Sequence, residues 1–209
     1  MRLAALLLLA LVVAVNCAIG FPLFNLGVTH NFQSNELSFP AIAKFWWEWR
    51  AAPYWFNVWD TGMPLENTYF PLVPWLIAFI HGSAGMDFVH AYHLLLGLSF
   101  AASPLFVFLL ARRLTQSTPA SAIGTALYVF ISTSAAVFPE IRSDLGSMFY
   151  SRRIYAIAFY GEGPHIFSLA FLPLAMFAFS GLGARGSGLG ARGSGLGARG
   201  FFGLSAASL

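Results

Sequence analysis

Cysteine occurs once in the 209-residue chain, as Cys17, so no internal disulfide framework can hold the fold together. Charge is almost as scarce. Asp, Glu, Lys and Arg make up 9% of the residues, against about 25% in a soluble domain whose whole surface meets water. Most of this surface must therefore face lipid. The formal net charge is +3, but the arginines are scattered between apolar runs and form no basic patch, which speaks against nucleic acid as a partner. Ionisable residues are also missing from the interior of the long apolar runs. Proton-coupled pumps and ion transporters keep working groups there, so this absence argues against transport and predicts every charge at a membrane face.

What fills the chain instead is apolar: 58% hydrophobic residues and a mean hydropathy of +0.71. Leu3 to Phe21 runs nearly unbroken behind Arg2, about the ~20 residues a helix needs to cross the hydrocarbon core. A cleaved signal peptide also starts with a basic end and an apolar run. The Val15-Asn16-Cys17-Ala18 region is a poor cleavage site, however, and favours a retained helix. Residues 22–69 carry four acids and a dense aromatic set that includes Phe45, Trp46, Trp47, Trp49, Trp55 and Trp59. Tryptophan prefers the membrane–water interface, so Ala41 to Arg50 reads as a helix on the membrane surface. Pro71 to Ile80 is too short to span and reads as a second interfacial or re-entrant helix. Three longer runs follow, at about Phe88 to Leu110, Pro119 to Phe138 and His165 to Phe179, with Pro119 suited to a first helical turn.

The resulting expectation is an all-α integral membrane protein with about four transmembrane helices and interfacial helices in the first outer loop. Residues 1–21 form the first transmembrane helix, a signal anchor, and residues 22–86 the outer loop. Residues 87–181 hold three transmembrane helices with an outer loop at 139–164, and residues 182–209 a Gly-rich repeat and tail. With the N-terminus inside, Arg2, Arg112, Arg113, Arg185, Arg192 and Arg199 lie in the cytoplasm. The short Arg112-Arg113 turn is the kind of loop that carries most weight in the positive-inside rule. All eight acids, from Glu36 to Glu162, then fall outside or at the outer end of a span.

Residues 180–200 are three perfect copies of Ser-Gly-Leu-Gly-Ala-Arg-Gly, a composition that predicts neither a packed core nor a stable helix. The seven-nucleotide unit TCGGGGC in tandem encodes this peptide in any frame, up to rotation. Since seven is not a multiple of three, a change in copy number shifts the downstream frame. The expectation is that Phe201 to Leu209 is an out-of-frame ending, and a gene tract with mixed synonymous codons would refute it.

Two outer constellations could carry chemistry. One runs from Thr29 to Glu36 and on through Trp59-Asp60-Thr61-Gly62-Met63-Pro64-Leu65-Glu66 to Leu72; the other is Tyr160-Gly161-Glu162-Gly163-Pro164-His165. A carboxylate at a membrane face can accept a proton from an attacking hydroxyl, and Arg152 and Arg153 could stabilise a leaving phosphate. Solvated loop charge is the plainer account of any one residue. Asp87, His90 and His93 have i, i+3, i+6 spacing, but interfacial or bundle-facing polar groups explain them better than a metal site. Gly97, Ser99, Ala101, Ala102 and Ser103 give one span a small-residue face for close helix packing.

One long apolar helix, an outer loop with interfacial helices, a W-D-x-G-x-P…Y-x-P-L segment and a span ending in L-L-A-R-R-L together resemble bacterial polytopic membrane proteins of GT-C glycosyltransferase architecture. More narrowly, WDTGMPLENTYFPL and YGEGPH look like the membrane proteins labelled 6-pyruvoyl-tetrahydropterin-synthase-related, a label that does not imply pterin chemistry. The resemblance covers residues 1–180, the N-terminal part of such proteins. It implies a polyprenyl-phosphate-linked sugar donor, membrane lipid as surroundings, no cofactor, and the outer face of a bacterial inner membrane with the N-terminus cytoplasmic. It further implies a catalytic acid in the first outer loop, best matched by Glu36 and then Asp60. The usual pattern has an Asp earlier in that loop, where this chain has Thr29-His30-Asn31. Arg152, Arg153, Glu66, Glu162 and His165 are the expected substrate contacts. The alternative is a non-catalytic membrane protein or an inactive truncated fragment.

Overall fold

A computed structural model describes residues 2–25, 27, 28, 35–49, 55, 56, 62–64 and 71–190. The chain is mostly helical, and three of its helices are long and apolar enough to cross a membrane: Arg2–Asn25, Phe88–Thr115 and Gly163–Ser180. Together they mark a multi-pass membrane protein.

The first, α1 (Arg2–Gly20), is continued by a 3-10 turn at Phe21–Asn25. α2 (Asn35–Trp49) begins six residues before the expected interfacial helix and contains Pro40. Its buried face carries Phe39, Ile42, Ala43 and Phe45, while Ala41, Lys44 and Glu48 point outward. Two short strands, β1 (Trp55–Phe56) and β2 (Met63–Pro64), pair antiparallel, with Trp55 opposite Pro64. α3 (Leu72–Ala84) starts behind Pro71, as expected, and stops where Gly85 turns left-handed (φ 66°) and donates its N–H to the His81 carbonyl.

α4 (Phe88–Thr115) is the centre of the bundle and packs against α1, α2, α3 and the two long elements that follow. Asp87 starts it by accepting the Val89 and His90 amides, satisfying donors that the first helical turn leaves orphaned. Its small residues let neighbours close in. Phe24 lies against Gly97, and Phe100 packs so closely on Gly20 of α1 that an added Cβ would sit 2.6 Å from its ring. The core gathers Phe39, Ile77, Tyr92, Leu96, Phe100, Ile157 and Phe167 around this helix.

Pro104 sits inside α4. It has no N–H to give the carbonyl four residues back, which is that of Phe100. Asn16 of α1 donates its Nδ2 to that oxygen at 2.8 Å, and Ser103 donates its Oγ at 2.9 Å. A proline that would cost a hydrogen bond within the apolar layer thus creates an interhelical polar contact.

The expected third span, Pro119 to Phe138, is not a single helix. α5 (Thr118–Phe130) is capped by Ser117 and carries Pro119 in its first turn, but it ends after 13 residues. At 1.5 Å per residue that is about 20 Å, short of the ~30 Å hydrocarbon core. Ile131 and Ser132 are extended, and Ser132 then caps α6 (Thr133–Val137). The Ser-Thr-Ser run at 132–134 explains the break, since hydroxyls bonded to nearby backbone compete with the helix. The Ser132 N–H leaves the helix ladder altogether and donates to the Met148 carbonyl at 2.8 Å. Of the four expected spans, three are matched by single helices long and apolar enough to cross a membrane, and 119–138 is not such a helix.

α7 (Pro139–Leu145) and α8 (Arg152–Tyr160) follow before α9 (Gly163–Gly190) runs along α4. α9 continues past Ser180 into the first half of the repeat, which had been expected to be non-helical. Extending a formed helix costs no new nucleation, and that offsets the poor propensity of its glycines.

Candidate functional site

α8 begins with Arg152 and Arg153, and the two guanidinium groups diverge. Arg152 Nη1 donates to Ser134 Oγ at 2.9 Å, at the start of α6. Arg153 turns into the bundle, where Nη2 donates to Asn16 Oδ1 at 2.8 Å and Nη1 to Ser103 Oγ. Its guanidinium carbon lies 4.6 Å from the centre of the Phe100 ring and 4.4 Å from that of Tyr128. Ser103 is near the middle of the longest span, so this cation sits deep among apolar helices and not at a face. The expectation that every charge lies at a membrane end is corrected at this residue. Asn16 and Ser103 accept its donors while still donating to the carbonyl that Pro104 leaves free, so the kink and the arginine form one network.

Among the described residues, no carboxylate pairs with either arginine. Both line a chamber of about 460 Å³, together with Ser132, Ser134, Glu162 and His165. Ser151, at its edge, has a buried hydroxyl with no hydrogen-bond partner among the described residues. A second cavity, of about 270 Å³, abuts the first and shares Tyr128, Arg153, Ile166 and Leu169 with it. Its remaining wall is almost wholly apolar, including Phe100, Leu172, Pro173 and Met176. The two form a cleft: a larger chamber whose mostly apolar wall carries the arginine, serine, Glu162 and His165 side chains, a guanidinium at the junction and a greasy slot along α9.

Glu162 and His165 stand at the start of α9, with His165 Nδ1 hydrogen-bonded to Glu162 Oε2 and the imidazole largely exposed on the chamber side. Asp87 and His90 repeat this acid-x-x-His pattern at the start of α4. Partial burial pushes the Asp87 carboxyl up, but bonds from the His90 amide and ring and from the Val89 amide outweigh it and hold the group below the ordinary carboxylate value. On α8, the bond from Tyr160 to the Asp144 carboxylate raises the phenol above its ordinary value.

Glu36 lies elsewhere. It is 1% exposed on α2, with Oε1 3.1 Å from Nε2 of an equally buried His93. Next to His93 on α4, the fully buried Tyr92 presses its hydroxyl against Gly163, the residue after Glu162. Glu36 is not among the residues lining the chamber. His93 thus turns inward to Glu36 while His90 turns to Asp87, and among the described residues no three side chains of metal-ligating type converge. Asp60 and Glu66 lie outside the described residues, as does most of the Trp59 to Leu72 segment.

The structure therefore brings four of the seven expected site residues together: Arg152, Arg153, Glu162 and His165. Asn16, Ser103 and Tyr128 were missed. The available signals were a lone Asn late in the first apolar run and a proline inside the second. No family model, no curated protein and no solved structure matches this chain.

Proposed function

We propose that the cleft binds a lipid phosphate and that the chain is a GT-C-like glycosyltransferase, or the N-terminal part of one, using a polyprenyl-phosphate-linked sugar at the outer face of a bacterial inner membrane. The observation that carries this reading is the guanidinium of Arg153 at the junction of a chamber that holds the polar side chains of Arg152, Ser134, Glu162 and His165 and a slot that is almost wholly apolar. A lipid phosphate has the same two-part chemistry: a dianionic head that accepts charge-assisted hydrogen bonds and a tail that belongs in hydrocarbon. Among the described residues no carboxylate pairs with Arg152 or Arg153, so a phosphate would meet two guanidinium groups whose described partners are neutral.

α2 and α3, with Trp47, Trp49 and Trp75 exposed, lie in this reading at the membrane interface around the mouth of the bundle. The N-terminus is then cytoplasmic, and the starts of α4 and α9 face outward with their acid–histidine pairs. The chemistry is transfer of a sugar from the phosphate to an acceptor hydroxyl. Arg152 and Arg153 hold the leaving phosphate by stabilising the charge that grows on its oxygen.

The test is binding of a polyprenyl phosphate and of the matching polyprenol to the full chain in lipid nanodiscs. The phosphate is expected to bind much more tightly than the alcohol. Hydrogen bonds to charged groups contribute about 1.5–3 kcal/mol each, so Arg152→Gln should weaken phosphate binding by roughly 10- to 150-fold. Arg153→Gln should do the same, with Arg153→Lys recovering part of the loss. Equal binding of phosphate and alcohol, or wild-type affinity in both Gln variants, would overturn the reading.

A further inference from the structure

We propose that His165, oriented by Glu162, is the proton acceptor of this site. The inference rests on the lipid-phosphate reading of the cleft and adds the base that reading lacks. Among the described residues, six charged or titratable side chains line the chamber, and two of them, Tyr128 and Tyr150, are phenols, a group that ordinarily keeps its proton near neutral pH. Two more are guanidinium groups, which do not give up a proton near neutral pH. The others are Glu162 and His165. With the Nδ1–H of His165 donated to Glu162 Oε2, the lone pair is left on Nε2, and the carboxylate fixes both the tautomer and the ring orientation.

Among the described residues of the first outer loop, the expected base does not compete at this place. Glu36, the expected base, is 1% exposed and held against His93, and it does not line the chamber.

The fold also contains its own comparison. Asp87 and His90 have the same spacing at the start of another span, but the Asp87 carboxylate also caps that helix through the Val89 and His90 amides. No arginine adjoins that pair among the described residues, and neither member lines the chamber. The described polar contact of the Glu162 carboxylate is with His165 alone. One acid–histidine pair thus caps the start of a helix, and the other shares a chamber with two guanidinium groups that no carboxylate among the described residues neutralises.

In the step this geometry supports, the acceptor hydroxyl oxygen bonds to the anomeric carbon of the sugar as the bond from that carbon to the phosphate oxygen breaks. The electron pair of the broken bond stays on the phosphate, beside Arg152 and Arg153. The hydroxyl proton passes to His165 Nε2, giving an imidazolium next to the Glu162 carboxylate, and leaves to water before the next turnover.

The experiment uses the full chain in nanodiscs, a panel of polyprenyl-phosphate-linked hexoses and pentoses as donors, and octyl glycosides as acceptors, with release of polyprenyl phosphate as the readout. His165→Ala is expected to lower kcat by about 10²- to 10⁴-fold, the usual contribution of a positioned base, while polyprenyl phosphate binding stays at the wild-type level. Added imidazole should restore part of the lost rate in His165→Ala. His90→Ala should turn over like the wild type, and Glu162→Gln should lose rate without losing phosphate binding. Wild-type kcat in His165→Ala, an equal loss in His90→Ala, or no rescue by imidazole would overturn the assignment. So would arginine-dependent phosphate binding with no transfer from any donor, which leaves the lipid-phosphate reading standing. Absence of arginine-dependent phosphate binding overturns both.

Discussion

The buried pair between Glu36 and His93 makes a sharp claim about how α2 is held to the bundle. Both side chains are 1% exposed, and their closest atoms are 3.1 Å apart. Removing one partner of such a pair costs about 3–5 kcal/mol, because the other is left buried without it. Against this stand Phe39, Ile42 and Phe45 on the same face of α2, which at roughly 1.5–3 kcal/mol each contribute about 5–9 kcal/mol of apolar burial. The apolar term is the larger, so in His93→Leu α2 stays docked as the major state. Its opening becomes more frequent by roughly 150- to 5,000-fold. Hydrogen–deuterium exchange of the α2 amides in nanodiscs reads this directly. Glu36→Gln keeps the shape and a hydrogen-bonding amide, and should raise exchange far less than His93→Leu. The double variant Glu36→Leu/His93→Leu removes both polar groups and should exchange more slowly than His93→Leu alone, a coupling visible in the double-mutant cycle. Wild-type exchange in His93→Leu, or purely additive effects in the cycle, would refute the argument that the pair anchors this helix.

Two glycines should respond in opposite ways to alanine. A Cβ at Gly163 would lie 2.2 Å from the Tyr92 hydroxyl and 2.8 Å from Leu96 Cδ1, both on a fully buried wall, so Gly163→Ala should destabilise by about 1–3 kcal/mol. Gly124, inside α5, has no neighbour within 4 Å of such an atom, and Gly124→Ala should stabilise by about 0.5–1 kcal/mol; thermal unfolding in detergent checks both. At the start of α4, Asp87→Ala should cost about 0.5–2 kcal/mol, and Asp87→Asn less, because Asn still caps. The folded carboxyl lies below its ordinary value. Its contribution is therefore present above the unfolded value of about 3.9 and is lost as pH falls through the folded one. The stability gap between wild type and Asp87→Asn should close on acidification, and a gap that widens instead would reverse the sign of the argument.

Local chemistry was enough to reveal the membrane class and three long apolar helices. Helix starts near Pro71, Phe88 and Pro119 were legible for the same reason: prolines and apolar runs act through chain neighbours. Arg152, Arg153, Glu162 and His165 could likewise be named from residue type beside an apolar run, although nothing in their spacing said that they share a chamber. Packing decided the rest. Hydropathy counts residues one at a time, so it read 119–138 as a span, whereas hydroxyls at 132–134 and a backbone bond to Met148 divide it. Arg153 looked like a loop charge because its depth depends on Asn16, 137 positions away, and Ser103, 50 positions away. Glu36 looked like an accessible base until a histidine on another helix closed over it. A side chain's type is set by its codon, but its exposure and partner are properties of the whole bundle. A charge can leave water only where distant groups have already been arranged to receive it.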